Sequence, residues 1–155
     1  GIMKDFIEAY DKLMEGFQLV LSEMIEDGTI KHLSLMGVSL GTPELPYLEL
    51  WADEPFKNIT DTGLSETFEG EIILSSQVLN NKNPKIGIHE ATSIVSQAER
   101  RIISSRLLGD LEFFNIKTKD FGWVPYGLGK KKNVYSAGVT FQIRFKIKNP
   151  KCDGG

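Results

Sequence analysis

Gly37-Val38-Ser39-Leu40-Gly41 fits the G-x-S-x-G pattern, in which a strand-to-helix turn lifts a serine hydroxyl clear of a sheet to attack an ester or amide. That chemistry needs a helix straight after the second glycine, then an Asp and a His later in the chain. Here Thr42-Pro43 and a strand follow Gly41, and His89 is the sole downstream histidine. His89-Glu90 opens an H-E-x-x-H zinc helix, but Ser93 stands where the second ligand belongs. Two histidines and one cysteine give a protein-only zinc site little to work with. Gly127-Leu128-Gly129-Lys130 has the look of a phosphate loop. Val124 replaces its first glycine, however, and Lys131 replaces the hydroxyl residue that binds magnesium. Asn58-Ile59-Thr60 fits a glycosylation sequon, idle without a secretory leader. The sequence argues for no catalytic residue, no metal and no cofactor.

Charge carries more information. The formal net charge of −3 hides a division near Val78. Residues 1–78 hold Lys4, Lys12, Lys31 and Lys57 against fifteen acids, a net −11, while residues 79–155 hold fourteen Lys or Arg against six acids, a net +8. Such asymmetry points to interaction surfaces of opposite sign, or to charges that mix again in the fold. Lys130, Lys131, Lys132, Arg100, Arg101 and Arg106 could gather into a basic patch. A pI near 5.5 and the lack of aromatics among those lysines argue against sequence-specific nucleic-acid binding.

These residues need elements to hold them. At 155 residues the chain has the length of one domain, expected over 4–149. Gly1-Ile2 before Met3 reads as an expression remnant, and 150–155 as a flexible tail. The apolar runs are too short to cross a bilayer as a helix, and Cys152 has no internal disulfide partner. Apolar residues at three- and four-residue spacing, from Phe6 and Ile7 to Met24 and Ile25, predict an amphipathic helix over 4–26 closed by Gly28. Residues 30–45 show no clean period. Residues 47–52 and 67–75 read as a pair of strands joined by a long exposed loop bearing Asp53, Glu54, Asp61 and Glu66. Asn80 to Pro84 reads as a turn, and a second helix is expected over 89–107, with Ala91, Ile94, Val95, Ala98 and Ile102 inward and Arg100 and Arg101 outward. Two strands follow, at 112–124 and from Tyr135 to Lys148, the last alternating almost perfectly. The expected fold is α+β: a single, mostly antiparallel four-stranded sheet with two helices on one face, in the order α-β-β-α-β-β.

This order, with the Glu90-Ala91-x-x-Ile94-Val95-x-x-Ala98-x-x-x-Ile102 helix and the closing Thr140-Phe141-Gln142-Ile143-Arg144-Phe145 strand, resembles the tail-terminator and minor tail proteins of long-tailed bacteriophages over about residues 4–148. The resemblance implies a non-enzymatic virion protein of the phage or prophage neck and tail. It would form a six-membered ring that caps the tail tube and docks it to the head connector. Genomic DNA would pass through the lumen without sequence-specific contact, and assembly would take place in the host cytoplasm, away from any membrane. The subunit, partner or lumen surface would include Asp53, Glu54, Asp61, Glu66, Arg100, Arg101, Lys130, Lys131 and Lys132. The alternative is a small α+β protein-binding module, or another phage neck protein, that grips a partner through its open strand face or the 53–66 loop.

Overall fold

The computed structural model describes residues 2–61, 65–105, 115–124 and 132–148. Helix α1 spans Ile2–Glu26. It buries Leu13, Phe17, Leu21 and Met24, the three- and four-residue repeat that the sequence displays. The chain leaves it through Gly28 at φ +83, where the Ile30 N–H donates back to the Met24 carbonyl at 3.0 Å.

Seven strands follow among the described residues: β1 (His32–Leu35), β2 (Val38–Gly41), β3 (Tyr47–Trp51), β4 (Lys57–Asp61), β5 (Ser65–Leu79), β6 (Asn115–Val124) and β7 (Val134–Lys148). Helix α2, Pro84–Ser104, separates β5 from β6. Six strands form the path β2-β1-β3-β5-β7-β6, and β4 pairs with β5 beside it. The pair β1–β3 is parallel and the others are antiparallel. The spine is β5 against β7, in continuous register from Ser65↔Lys148 to Leu79↔Val134.

The expected four-stranded sheet in the order α-β-β-α-β-β is therefore wrong in strand number and sequence of elements, although the class is α+β with two helices. The three missed strands have physical reasons. All four residues of β1 are buried, so it has no solvent face and no alternation. Its hairpin to β2 turns on Met36 and Gly37, at φ 50 and 91. Strand β4 is Lys-Asn-Ile-Thr-Asp, a composition that suggests a loop, and with the start of β5 it replaces half of the long loop expected over 53–66. Glu66 accordingly lies in β5, opposite Asp61 of β4.

One face of the sheet carries the core. Leu33 and Leu35, Leu48 and Leu50, Ile72, Leu74 and Val78, and Ala137 through Phe145 at alternate positions pack under both helices. The alternation expected for the last strand is observed. Helix α2 starts five residues earlier than its expected beginning at His89, because Pro84 takes the first helical position and the Asn83 side chain accepts from the Lys85 N–H at 2.9 Å. The helix is pinned to the sheet by the Ser76 hydroxyl, which donates to the Ala91 carbonyl at 2.6 Å. Leu107, its expected end, lies outside the described residues.

Candidate interaction surfaces

The opposite face of the sheet has no helix on it among the described residues, and its chemistry is a cross-strand ladder of charge. Glu69 of β5 faces Arg144 of β7, with Arg144 Nη2 3.0 Å from Glu69 Oε1. Glu71 pairs with Lys119 of β6, which raises the Lys119 pKa through that hydrogen bond and charge. Lys117 and Lys146 extend the same face. Beside the ladder is a cavity of about 310 Å³, lined by Asp53, Glu54, Lys57, Glu69, Glu71 and Gln142 among others. Toward β1 the face closes over. His32 is 8% exposed and stacks on Tyr47, with ring centroids 5.0 Å apart. Burial pushes the Tyr47 hydroxyl above the usual tyrosine range, against a hydrogen bond with Ser34 and with help from Glu49.

The residues singled out in the sequence scatter. Asp53 and Glu54 line the cavity from the loop between β3 and β4. Asp61 and Glu66 sit opposite each other where β4 pairs with β5. Arg100 is exposed on α2, and Lys132 is exposed in the turn before β7. Lys130, Lys131 and Arg106 lie outside the described residues. Arg101 differs from expectation: its guanidinium reaches Glu23 at 2.7 Å and Asp27 at 3.4 Å, tying the end of α2 to the end of α1. Ser39 lies in a hairpin strand, not at a strand-to-helix elbow. Among the described residues no group of three His, Cys, Asp or Glu side chains is placed to hold a metal.

These pairs change the meaning of the charge division. Arg101 with Glu23 and Asp27, Arg144 with Glu69, and Lys119 with Glu71 each join the basic half of the sequence to the acidic half inside one molecule. Part of the asymmetry is thus consumed by folding. All these pairs are at least partly exposed, so solvent screens them and each adds little to stability.

Asp27 illustrates the local chemistry. The Thr29 hydroxyl and then the Thr29 N–H donate to its Oδ1, and Arg101 adds a smaller attraction; together they hold the carboxyl below the usual aspartate range. A depressed folded pKa stabilises the fold above the unfolded value, and the contribution is lost as pH falls through the folded value. Thr29→Val should therefore move the Asp27 pKa upward in an NMR titration. An unchanged value would assign the depression to the residue-29 N–H and Arg101 instead.

Sequence reasoning missed a second surface. Trp123 is 66% exposed and projects from β6 on the helix side of the sheet, its indole N–H donating to the Thr92 hydroxyl of α2 at 3.1 Å. Phe121 on β6 and Ile88 and Ile103 on α2 are also exposed. The alternation Phe121-Gly122-Trp123 signals their shared face; that α2 leaves this face partly uncovered could not be read. Similarly, Ile7 and Tyr10, which fall within the apolar repeat of the first helix, are exposed together with Leu19.

No protein-family model and no curated protein matches the chain.

Proposed function

We propose that this chain is a non-enzymatic structural subunit of a long-tailed bacteriophage or prophage, a tail terminator that assembles with copies of itself into a ring. The observation that carries the reading is the polar outer sheet face. Two 15-residue strands spread Glu69, Glu71, Gln142, Arg144 and Lys146 across an extended surface of mixed charge. Such a face suits a wall lining a hydrated channel or a contact with another subunit. Glu69 and Glu71 would keep Arg144 and Lys119 from gripping passing DNA, since phosphates bind where lysines and arginines are unopposed. The Glu90–Ile102 helix and the closing Thr140–Phe145 strand, the segments quoted for the resemblance to the phage tail family, support the same reading. Partners would be the tail tube protein at one face of the ring and the head–tail connector at the other, in the virion and, during assembly, in the host cytoplasm.

The cavity beside Asp53 and Glu54 favours a second reading, a monomeric module that grips a protein partner there. Mass in solution separates the two. A tail terminator should show a concentration-dependent species near six times 17.4 kDa by light scattering, and ring-shaped particles by negative-stain microscopy. A single species at 17.4 kDa across all concentrations would favour the binding module.

A further inference from the structure

We infer that copies of this chain join head to tail, the acidic outer face of α1 in one copy seating on the basic, apolar flank that α2 and β6 build at the other end of the next. This rests on the ring-forming reading and names the two surfaces that would make the ring.

The two patches lie at opposite ends of the sheet. Phe6 of α1 packs edge-on against Phe68 and Phe145, with centroids at 4.9 and 6.4 Å, where β5 begins and β7 nears its end. The start of α2 lies where β5 ends, held by the Asn80 N–H to the Asn133 carbonyl at 2.9 Å and by Asn133 Nδ2 to Asn81 Oδ1 at 3.0 Å. From Phe68 to Leu79 the strand runs about 36 Å at about 3.3 Å per residue. A contact between unlike patches at opposite ends is heterologous, and repetition of it closes into a ring or extends as a filament.

Each patch joins exposed apolar residues to a surplus of one charge. Near the start of α1, Ile7 and Tyr10 are exposed among Glu8 and Asp11, and Lys12, the cation among the described side chains there, is paired with Glu8 at 3.3 Å. At the other end Trp123, Phe121 and Ile88 are exposed, with Lys85 one helical turn before Ile88 and Lys132 in the turn leading to β7. The first turn of α2 carries no acid. Trp123 is also held in place. Its indole bonds Thr92, whose hydroxyl in turn donates to the Ile88 carbonyl at 2.7 Å. An aromatic already fixed in its bound orientation loses little freedom on docking, which suits it to anchor an interface.

Strand addition along β6 is a poorer route. Its ladder breaks at a bulge between Thr118 and Asp120, and Lys117 and Lys119 flank the break, both of which discourage edge pairing. The side-chain surface on the helix side remains.

Cross-linking tests the juxtaposition directly. In a Cys152→Ser background, Asp11→Cys and Lys85→Cys proteins are treated with a short bismaleimide, separately and mixed. The expected result is strong dimer formation in the mixture and little in either alone. Light scattering on the uncross-linked proteins follows assembly, with circular dichroism melting as the control for folding. Trp123→Ala should weaken association by at least about 30-fold, the effect of losing an aromatic anchor, with little change in melting. Lys85→Glu should weaken it by up to about fivefold, with recovery when mixed with Asp11→Lys. Assembly that persists with no mixed cross-link, and that Trp123→Ala leaves intact, would overturn these surfaces while leaving a ring former. A monomer at every concentration would overturn both.

Discussion

Phe141→Ala should destabilise the fold by about 3–5 kcal/mol, the range for removing a fully buried aromatic from a core that cannot collapse around the gap. Phe141 is 0% exposed and lies midway along β7. It is flanked by Ile72 of β5 on one side and Thr118 of β6 on the other. Both flanking strands are fixed by ladder hydrogen bonds, so neither can slide in to fill the void, and the helices above are held by Ser76 and by Arg101. The neighbouring Gln142→Ala removes a side chain on the outer face and should stay within about 0.5 kcal/mol. Urea unfolding of the two variants measures the difference. Equal midpoints would mean that the two faces of β7 have been exchanged.

The second large effect is expected at Gly41. This residue ends β2 at φ +84, and a Cβ there would lie 2.5 Å from the Lys31 carbonyl oxygen. Two costs combine in Gly41→Ala. The left-handed backbone strains any residue with a side chain, worth about 1–3 kcal/mol. The methyl also drives into a backbone atom, which cannot rotate away as a side chain could. Gly28 supplies the control, since it shares a positive φ of 83 but has nothing within 4 Å of a Cβ. Gly28→Ala should show the conformational cost alone, and Gly41→Ala should exceed it by about 1 kcal/mol or more. Similar losses in the two variants would show that Lys31 can yield and that β1 and β2 separate without penalty.

The elements that were legible in the sequence were those with one wet face and one dry face. Helix α1 and strand β7 each repeat their apolar residues at the period of their own geometry, and their buried positions follow from that. Strand β1 has two dry faces, because His32 and Ser34 are covered on the side away from the leucines. No period survives such burial. The start of α2 was written in Asn83-Pro84, a cap followed by a residue suited to the first turn, but the same pair also spells a turn. Which strand neighbours which depends on contacts between distant segments, and neither composition nor spacing encodes them. The same holds for the candidate surfaces. The sequence displays a surplus of acid before Val78 and of base after it, yet only the fold assigns Arg101 to Glu23 and sets Trp123 against Thr92, two helical turns beyond Lys85.

The long pairing of β5 with β7 has a consequence for how a new chain reaches its native state. Their partner residues, from Leu79 with Val134 to Ser65 with Lys148, are roughly fifty to eighty positions apart in sequence. Closing such a loop costs entropy before any contact offsets it, and folds dominated by distant pairings form slowly. While a ribosome is still making α2 and β6, β5 already exists with β7's edge of it bare and Ile72 and Leu74 unsheltered. Nascent subunits crowded on neighbouring ribosomes would then compete for that edge with their own C-terminal strand. Yield of soluble protein should accordingly rise when synthesis is slowed or spread out, even though the finished fold, once β7 is in place, is no less stable.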